Sequence, residues 1–160
     1  MYTPSALLDI HERTHRSLRG LLTHCRTLTP EELDRELAGF GYPTVQLQLH
    51  HGIGAQKYWI GVLQGRLDVD EDAHLYRTVA SLEEYRAQVF AVTEAYLRAS
   101  STEDLNTARP VMTWGDREQV LAPAQVVLRT QTHHYHHQGQ ILAMCRLLGK
   151  PCSGLDYPLA

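Results

Sequence analysis

Four of the ten histidines fall within five residues, in the run Thr132-His133-His134-Tyr135-His136-His137-Gln138-Gly139-Gln140. The segment around it, from about Ala122 to Leu148, has the apolar periodicity of a helix. Each helical residue turns by about 100°, so side chains four apart share a face. The inward stripe reads Val126, Thr130, His133, His137, Ile141, Met144, Leu148. His133 and His137 thus lie one turn apart on the buried face, where two ring nitrogens can converge on one metal ion. A buried polar group without a partner costs about 1–3 kcal/mol, and one ion satisfies two imidazoles at once. His134 falls at the edge of the stripe. His136, among Arg129 and Thr132, is expected to meet water or a partner.

A third imidazole comes from the pair His50-His51. It sits in a helical segment from about Thr44 to Leu63 with a wide apolar arc and a narrow polar wedge of Gln46, His50, Lys57 and Gln64. By phase, His51 points into the arc, in line with Leu47, Tyr58 and Val62, and His50 into the wedge. His51, His133 and His137 therefore form the expected ligand set. Three neutral imidazoles with positions left open resemble catalytic zinc ligation. Nickel suits the same donors, and iron, manganese or copper are compatible. Gln56 and Gln140, polar residues on apolar faces, are candidates to orient the rings. Tyr58 and Glu12 are the candidates for proton transfer.

His11-Glu12-Arg13-Thr14-His15 fits the zinc-peptidase pattern HExxH, with two histidine ligands and a glutamate base. Its context is wrong for a peptidase. It occupies the first helix, no sheet precedes it, and Glu31 and Glu32 are the candidates for a third ligand. A core-facing His11 with His15 beside it is the better reading, and His11 could support the main site from behind.

The elements that must position these residues are helical. The first helix starts after Thr3-Pro4, a cap followed by a proline tolerated in the first turn. Its stripe is Leu7, His11, Thr14, Leu18, Leu21, Leu22, Cys25. Thr29 and Glu32 are spaced as a capping box, and Gly39-Phe40-Gly41-Tyr42-Pro43 breaks the chain. After Gly65, the acidic stretch 66–80, with Asp68, Asp70, Glu71 and Asp72, reads as a solvated linker. It lacks the ligand spacing and glycine of a calcium loop. Ser81-Leu82-Glu83-Glu84 opens a third helix, about Leu82 to Ala99, which Ser101-Thr102-Glu103-Asp104 closes. Val111 to Arg117 could form a short hairpin around Gly115-Asp116. The last helix runs from near Pro123 to Gly149, a left-handed cap with Pro151 behind it, and the tail to Ala160 wraps the surface.

Four long amphipathic helices in one chain of 160 residues predict an all-α fold, a single four-helix bundle over 1–160 with long crossover connections. The composition, 43% hydrophobic and 21% charged, is that of an ordinary globular domain. A net charge of −3 gives no basic footprint for nucleic acid. No apolar run is long enough to span a bilayer. The N-terminus lacks the features of a secretory signal. Cys25, Cys145 and Cys152 form neither an even disulfide framework nor a CxxC pair. A cytoplasmic protein with reduced thiols is expected.

Three pieces carry a resemblance. They are Leu49-His50-His51-Gly52-Ile53-Gly54-Ala55-Gln56-Lys57-Tyr58-Trp59, then His133-x-x-x-His137-Gln138-Gly139-Gln140-Ile141, then Arg146-Leu147-Leu148-Gly149-Lys150-Pro151. They resemble the DinB-like family of damage-inducible bacterial proteins, metal-binding four-helix bundles unrelated to the polymerase of the same name. On that match the family's three ligands fall on His51, His133 and His137. Gln138 stands where the family often has arginine, and Gln56 where an acidic residue is common. The resemblance implies a divalent metal, a homodimer and, for some members, transfer reactions on low-molecular-weight thiols. The functional expectation is a metal-dependent enzyme acting on a small molecule, such as a thiol-dependent S-transferase. Its alternatives are a non-catalytic metal-binding stress protein and, more remotely, the HExxH peptidase.

Overall fold

The computed structural model describes residues 1–67, 69 and 71–159. Its α-helices are α1 (Pro4–Cys25), α2 (Pro30–Leu33), α3 (Val45–Leu63), α4 (Val79–Ala99), α5 (Thr102–Asn106) and α6 (Pro123–Leu147). A small antiparallel hairpin, β1 (Arg109–Thr113) and β2 (Arg117–Leu121), precedes α6. The four long helices make the bundle. α3 packs on α6 and α4, and α1 packs on α4 and α6. α1 and α3 therefore occupy opposite corners, as do α4 and α6. The stretches 26–44 and 100–122 are the crossovers that this arrangement requires.

The helix starts are set by side-chain caps. Thr3 Oγ1 accepts from Ala6 N, Thr44 Oγ1 from Leu47 N, and Thr29 with Glu32 completes the capping box. α4 begins earlier than the Ser81 signal implies, because Thr78 is the cap and Ser81 is its reciprocal partner. Ser101 does not close α4 but caps α5, with Asp104 completing a third box. The hairpin is longer than the sequence suggests, and its turn holds Gly115 at φ 65° and Asp116 at φ 54°.

Two apolar clusters fill the bundle. One centres on Leu21, Leu22, Leu49, Ile53, Tyr85 and Ile141, and the other on Leu7, Ile60, Leu97, Leu105 and Val127. Val111 of β1 packs on Tyr58 and Val62 of α3, which fixes the hairpin over that helix. Of the supposed polar wedge of α3, Gln64 alone is exposed. Gln46 is 4% exposed and donates to the carbonyls of Ala73 and Tyr76 at 2.9 and 2.8 Å. His50 packs beside the rings of Tyr76 and Tyr85, at 5.6 and 5.4 Å, and those two rings stack on each other at 4.3 Å. The described part of 66–80 is thus docked on α3 rather than a free linker. Asp68 and Asp70 of the rejected calcium loop lie outside the described residues, as does Ala160.

Candidate metal centre

His51 of α3 faces His133 and His137 of α6. His133 Nε2 is 3.2 Å from His51 Nε2 and 3.1 Å from His137 Nε2. One ligand atom from each ring lies within 4.8 Å of the others. His137 is buried, and His51 and His133 are half-buried at the mouth of the cluster.

The donor set fits a divalent ion on hydrogen-bond accounting. The Gln48 amide nitrogen donates to Tyr42 O at 3.0 Å and to Gln140 Oε1 at 2.8 Å, which uses both of its protons. Its Oε1 is left to accept from His137 Nδ1–H at 2.5 Å. A neutral His137 therefore has a bare lone pair on Nε2. One proton on His133 Nε2 could serve only one of the two close nitrogen contacts. A shared cation serves all three. Zinc–nitrogen bonds of 2.0–2.1 Å in tetrahedral geometry put ligand nitrogens about 3.3 Å apart, close to the spacings found. Among the described residues, this is the group of His, Cys, Asp or Glu side chains arranged to hold a metal.

The electrostatics keep these imidazoles neutral, as ligation requires. Burial, then the neighbouring His133, pushes His51 down to about 4 and His137 to about 3. Burial, then His136 and Arg129, lowers His133. Tyr42, from the loop before α3, stacks on His51 at 4.0 Å and meets His137 edge-on at 6.1 Å. A cavity of about 400 Å³ opens beside His51, bounded by Tyr42, Tyr58, Glu71, Tyr85 and Trp114.

The orienting residues differ from the sequence expectation. Gln56 touches none of the three rings, and Gln140 acts one step back, through Gln48. The sequence signal of Gln48 is its position three residues before His51, which puts a polar side chain on the same buried face. Tyr42 carries no signal beyond its place in a chain break. Neither candidate for proton transfer touches the three imidazoles. Tyr58 OH accepts from Trp114 N at 2.9 Å under a ring stacked on Trp114, and Glu12 is exposed. His136 is exposed and takes a hydrogen bond from the Gln140 amide at 2.8 Å.

Gln56 belongs to a second polar cluster, deeper in the bundle. Its amide nitrogen donates to Thr93 Oγ1 at 2.7 Å and reaches His11 Nδ1 at 3.4 Å. Its oxygen accepts from His15 Nε2 at 3.0 Å and from His134 Nε2 at 2.6 Å. His11 Nε2 donates to Phe90 O at 3.2 Å, and His15 Nδ1 accepts from Arg86 Nη1 at 3.2 Å. Arg86 is in turn held by Glu83. His134 is thus a core residue at 5% exposure, not an edge residue. The ring nitrogens of the HExxH pair are spent on hydrogen bonds, which leaves that pattern a core device. Gln138 likewise works structurally, accepting from Ser17 Oγ at 3.1 Å and donating to Leu155 O, so that it ties the tail to α1 and α6.

Among the described residues no helix is long and apolar enough to cross a membrane. No curated protein matches the chain. Among solved structures it is similar to a conserved protein from Enterococcus faecalis, with a TM-score of 0.67 and 17% identity, over 94% of this chain and 99% of that one. That likeness is one of fold. The sequence model described as the DinB family matches residues 1–160. Read with the three-histidine cluster and the crossover bundle, that match is decisive: the chain belongs to the DinB family.

Proposed function

We propose that this protein is a divalent-metal-dependent enzyme, with His51, His133 and His137 as the ligands and a small-molecule thiol as substrate, in a thiol-dependent S-transfer. The observation that carries it is the convergence of three Nε2 atoms, one of them stripped of its proton by Gln48. A divalent ion held there, zinc or nickel by preference, lowers the pKa of a thiol or water bound to it and so supplies a nucleophile near neutral pH. The chain's own residues do the rest. Gln48 and Gln140 hold the His137 ring in one tautomer, Tyr42 shields one side of His51, and burial keeps the rings unprotonated. The half-exposed His51 beside a cavity of about 400 Å³ gives a small molecule room to approach. A homodimer in the cytoplasm is part of the same proposal.

A second reading is a metal that only staples α3 to α6. The burial of His137 and its Gln48 clamp favour it. Cobalt(II)-loaded protein separates the two. Titration with small thiols is expected to give a thiolate-to-cobalt absorption band in the near ultraviolet. A spectrum unmoved by thiols and by exogenous anions means a closed coordination shell, and the staple reading replaces the enzyme.

A further inference from the structure

A second cavity, toward the hairpin, shares Trp114 with the one beside His51, and its chemistry is different. Arg129 lies four residues before His133 on α6, about one turn or ~6 Å along the axis. Its guanidinium sits over the Trp59 ring, 5.3 Å from the centroid. Trp59 meets Trp114 edge-on at 5.9 Å, and Trp114 is stacked flat on Tyr58 at 3.6 Å. Arg129, Trp59 and Trp114, with Gln119 and Gln125, line a cavity of about 440 Å³. The ion pairs of the described residues employ Arg13, Lys57, Arg77, Arg86 and Arg98, and none of them employs Arg129.

An arginine laid on an aromatic face gives up little of its hydrogen-bonding capacity. The stack restricts the planar group while its N–H edge stays available, which suits a carboxylate accepting two parallel hydrogen bonds. The tryptophan walls add apolar surface beside that edge. We propose that Arg129 is a specificity-determining residue that binds a carboxylate on the substrate, with a short apolar spacer against Trp59 and Trp114. The substrate class is then a small mercaptocarboxylic acid. The placement of the sulfur at the histidines rests on the thiol reading above, and the carboxylate site rests on Arg129 and its aromatic bed.

Both tryptophans of the chain line this cavity, so their fluorescence reports on its occupancy. Metal-loaded protein is titrated with 3-mercaptopropionate and with its neutral isostere 3-mercaptopropionamide. The acid is expected to bind at least tenfold more tightly. Arg129→Gln should erase that preference while leaving the amide's affinity and the far-ultraviolet spectrum unchanged, and Arg129→Lys should restore part of it. Equal binding of acid and amide, or a preference that survives Arg129→Gln, overturns the inference. Propionate and propionamide, run in parallel, separate the two claims. Quenching by propionate that depends on Arg129, with no thiol effect on the cobalt spectrum, upholds the carboxylate site and removes the thiol reading. Absence of any Arg129-dependent quenching by either acid overturns the carboxylate site whatever the thiols do.

Discussion

His137 Nδ1 and Gln48 Oε1 lie 2.5 Å apart across the α3–α6 interface, and the Gln48 amide protons are both committed elsewhere, to Tyr42 O and Gln140 Oε1. The glutamine can therefore only accept, and the imidazole can only donate from Nδ1. Groups in this position typically change metal affinity by 10–100-fold when removed. Gln48→Leu is expected to weaken metal binding by roughly that factor, with the helical content unchanged, as read by chelator competition. Wild-type affinity in Gln48→Leu would mean the clamp has no part in ligation.

The Gln56 cluster makes a separate prediction about stability. Gln56→Leu leaves two imidazole N–H groups without their acceptor, and removes a donor from His11 and Thr93, all deep in the bundle. Each buried unsatisfied group costs about 1–3 kcal/mol. The loss should therefore be at least about 3 kcal/mol in urea unfolding of the metal-free protein. Metal affinity of the folded variant should change less than in Gln48→Leu, since Gln56 contacts none of the three ligand rings. The opposite ranking would show that the deep cluster, not Gln48, sets the site.

These two glutamines mark where sequence reasoning ran out. Helical phase was enough to select His51, His133 and His137 as inward-facing, because α3 and α6 are long and regular, so rotation accumulates little error. The same phase put His134 at the edge of a stripe, yet α6, at one corner of the bundle, is covered on two sides, by α3 and by α1. Gln56 and Gln140 were legible as polar residues on apolar faces, but which ring each serves depends on inter-helix register, which one strand of sequence does not contain. Gln48 and Tyr42 depend on how the loop before α3 folds back, a tertiary matter. His50 and Gln46 looked solvated only because the segment that covers them, part of 66–80, has no periodicity of its own.

Acid should destabilise the metal-free protein. Burial holds His134 down to about 3 and lowers His11 and, further, His15. Unfolded histidines titrate near 6.5, so below that pH the unfolded chain binds more protons than the folded one, and stability falls with pH. The stabilisation is complete above about pH 6.5 and is lost progressively down to about pH 3. Thermal or urea midpoints between pH 7.5 and 4 should decline through that window. A flat profile would contradict the neutral, desolvated network.

Gly61 is fixed by the docking of the segment after α3. A Cβ there would stand 2.7 Å from Arg66 O and 2.9 Å from Val69 Cγ2. Helix propensity alone favours alanine over glycine by about 1 kcal/mol, but the contact to a backbone carbonyl cannot be relieved by a rotamer change. Gly61→Ala is expected to lower stability by about 1–3 kcal/mol, seen as a lower urea midpoint. A stabilised Gly61→Ala would show that the segment packs more loosely on α3 than described.

The most direct measurement is stoichiometric metal analysis by mass spectrometry of tag-free protein, wild type beside His51→Ala, His133→Ala, His137→Ala and His11→Ala. The arrangement of the imidazoles predicts about one equivalent of divalent metal in the wild type and in His11→Ala once loaded, and a sharp loss in each of the other three. A wild type that can be neither isolated with metal nor loaded, or a loss confined to His11→Ala, would contradict it.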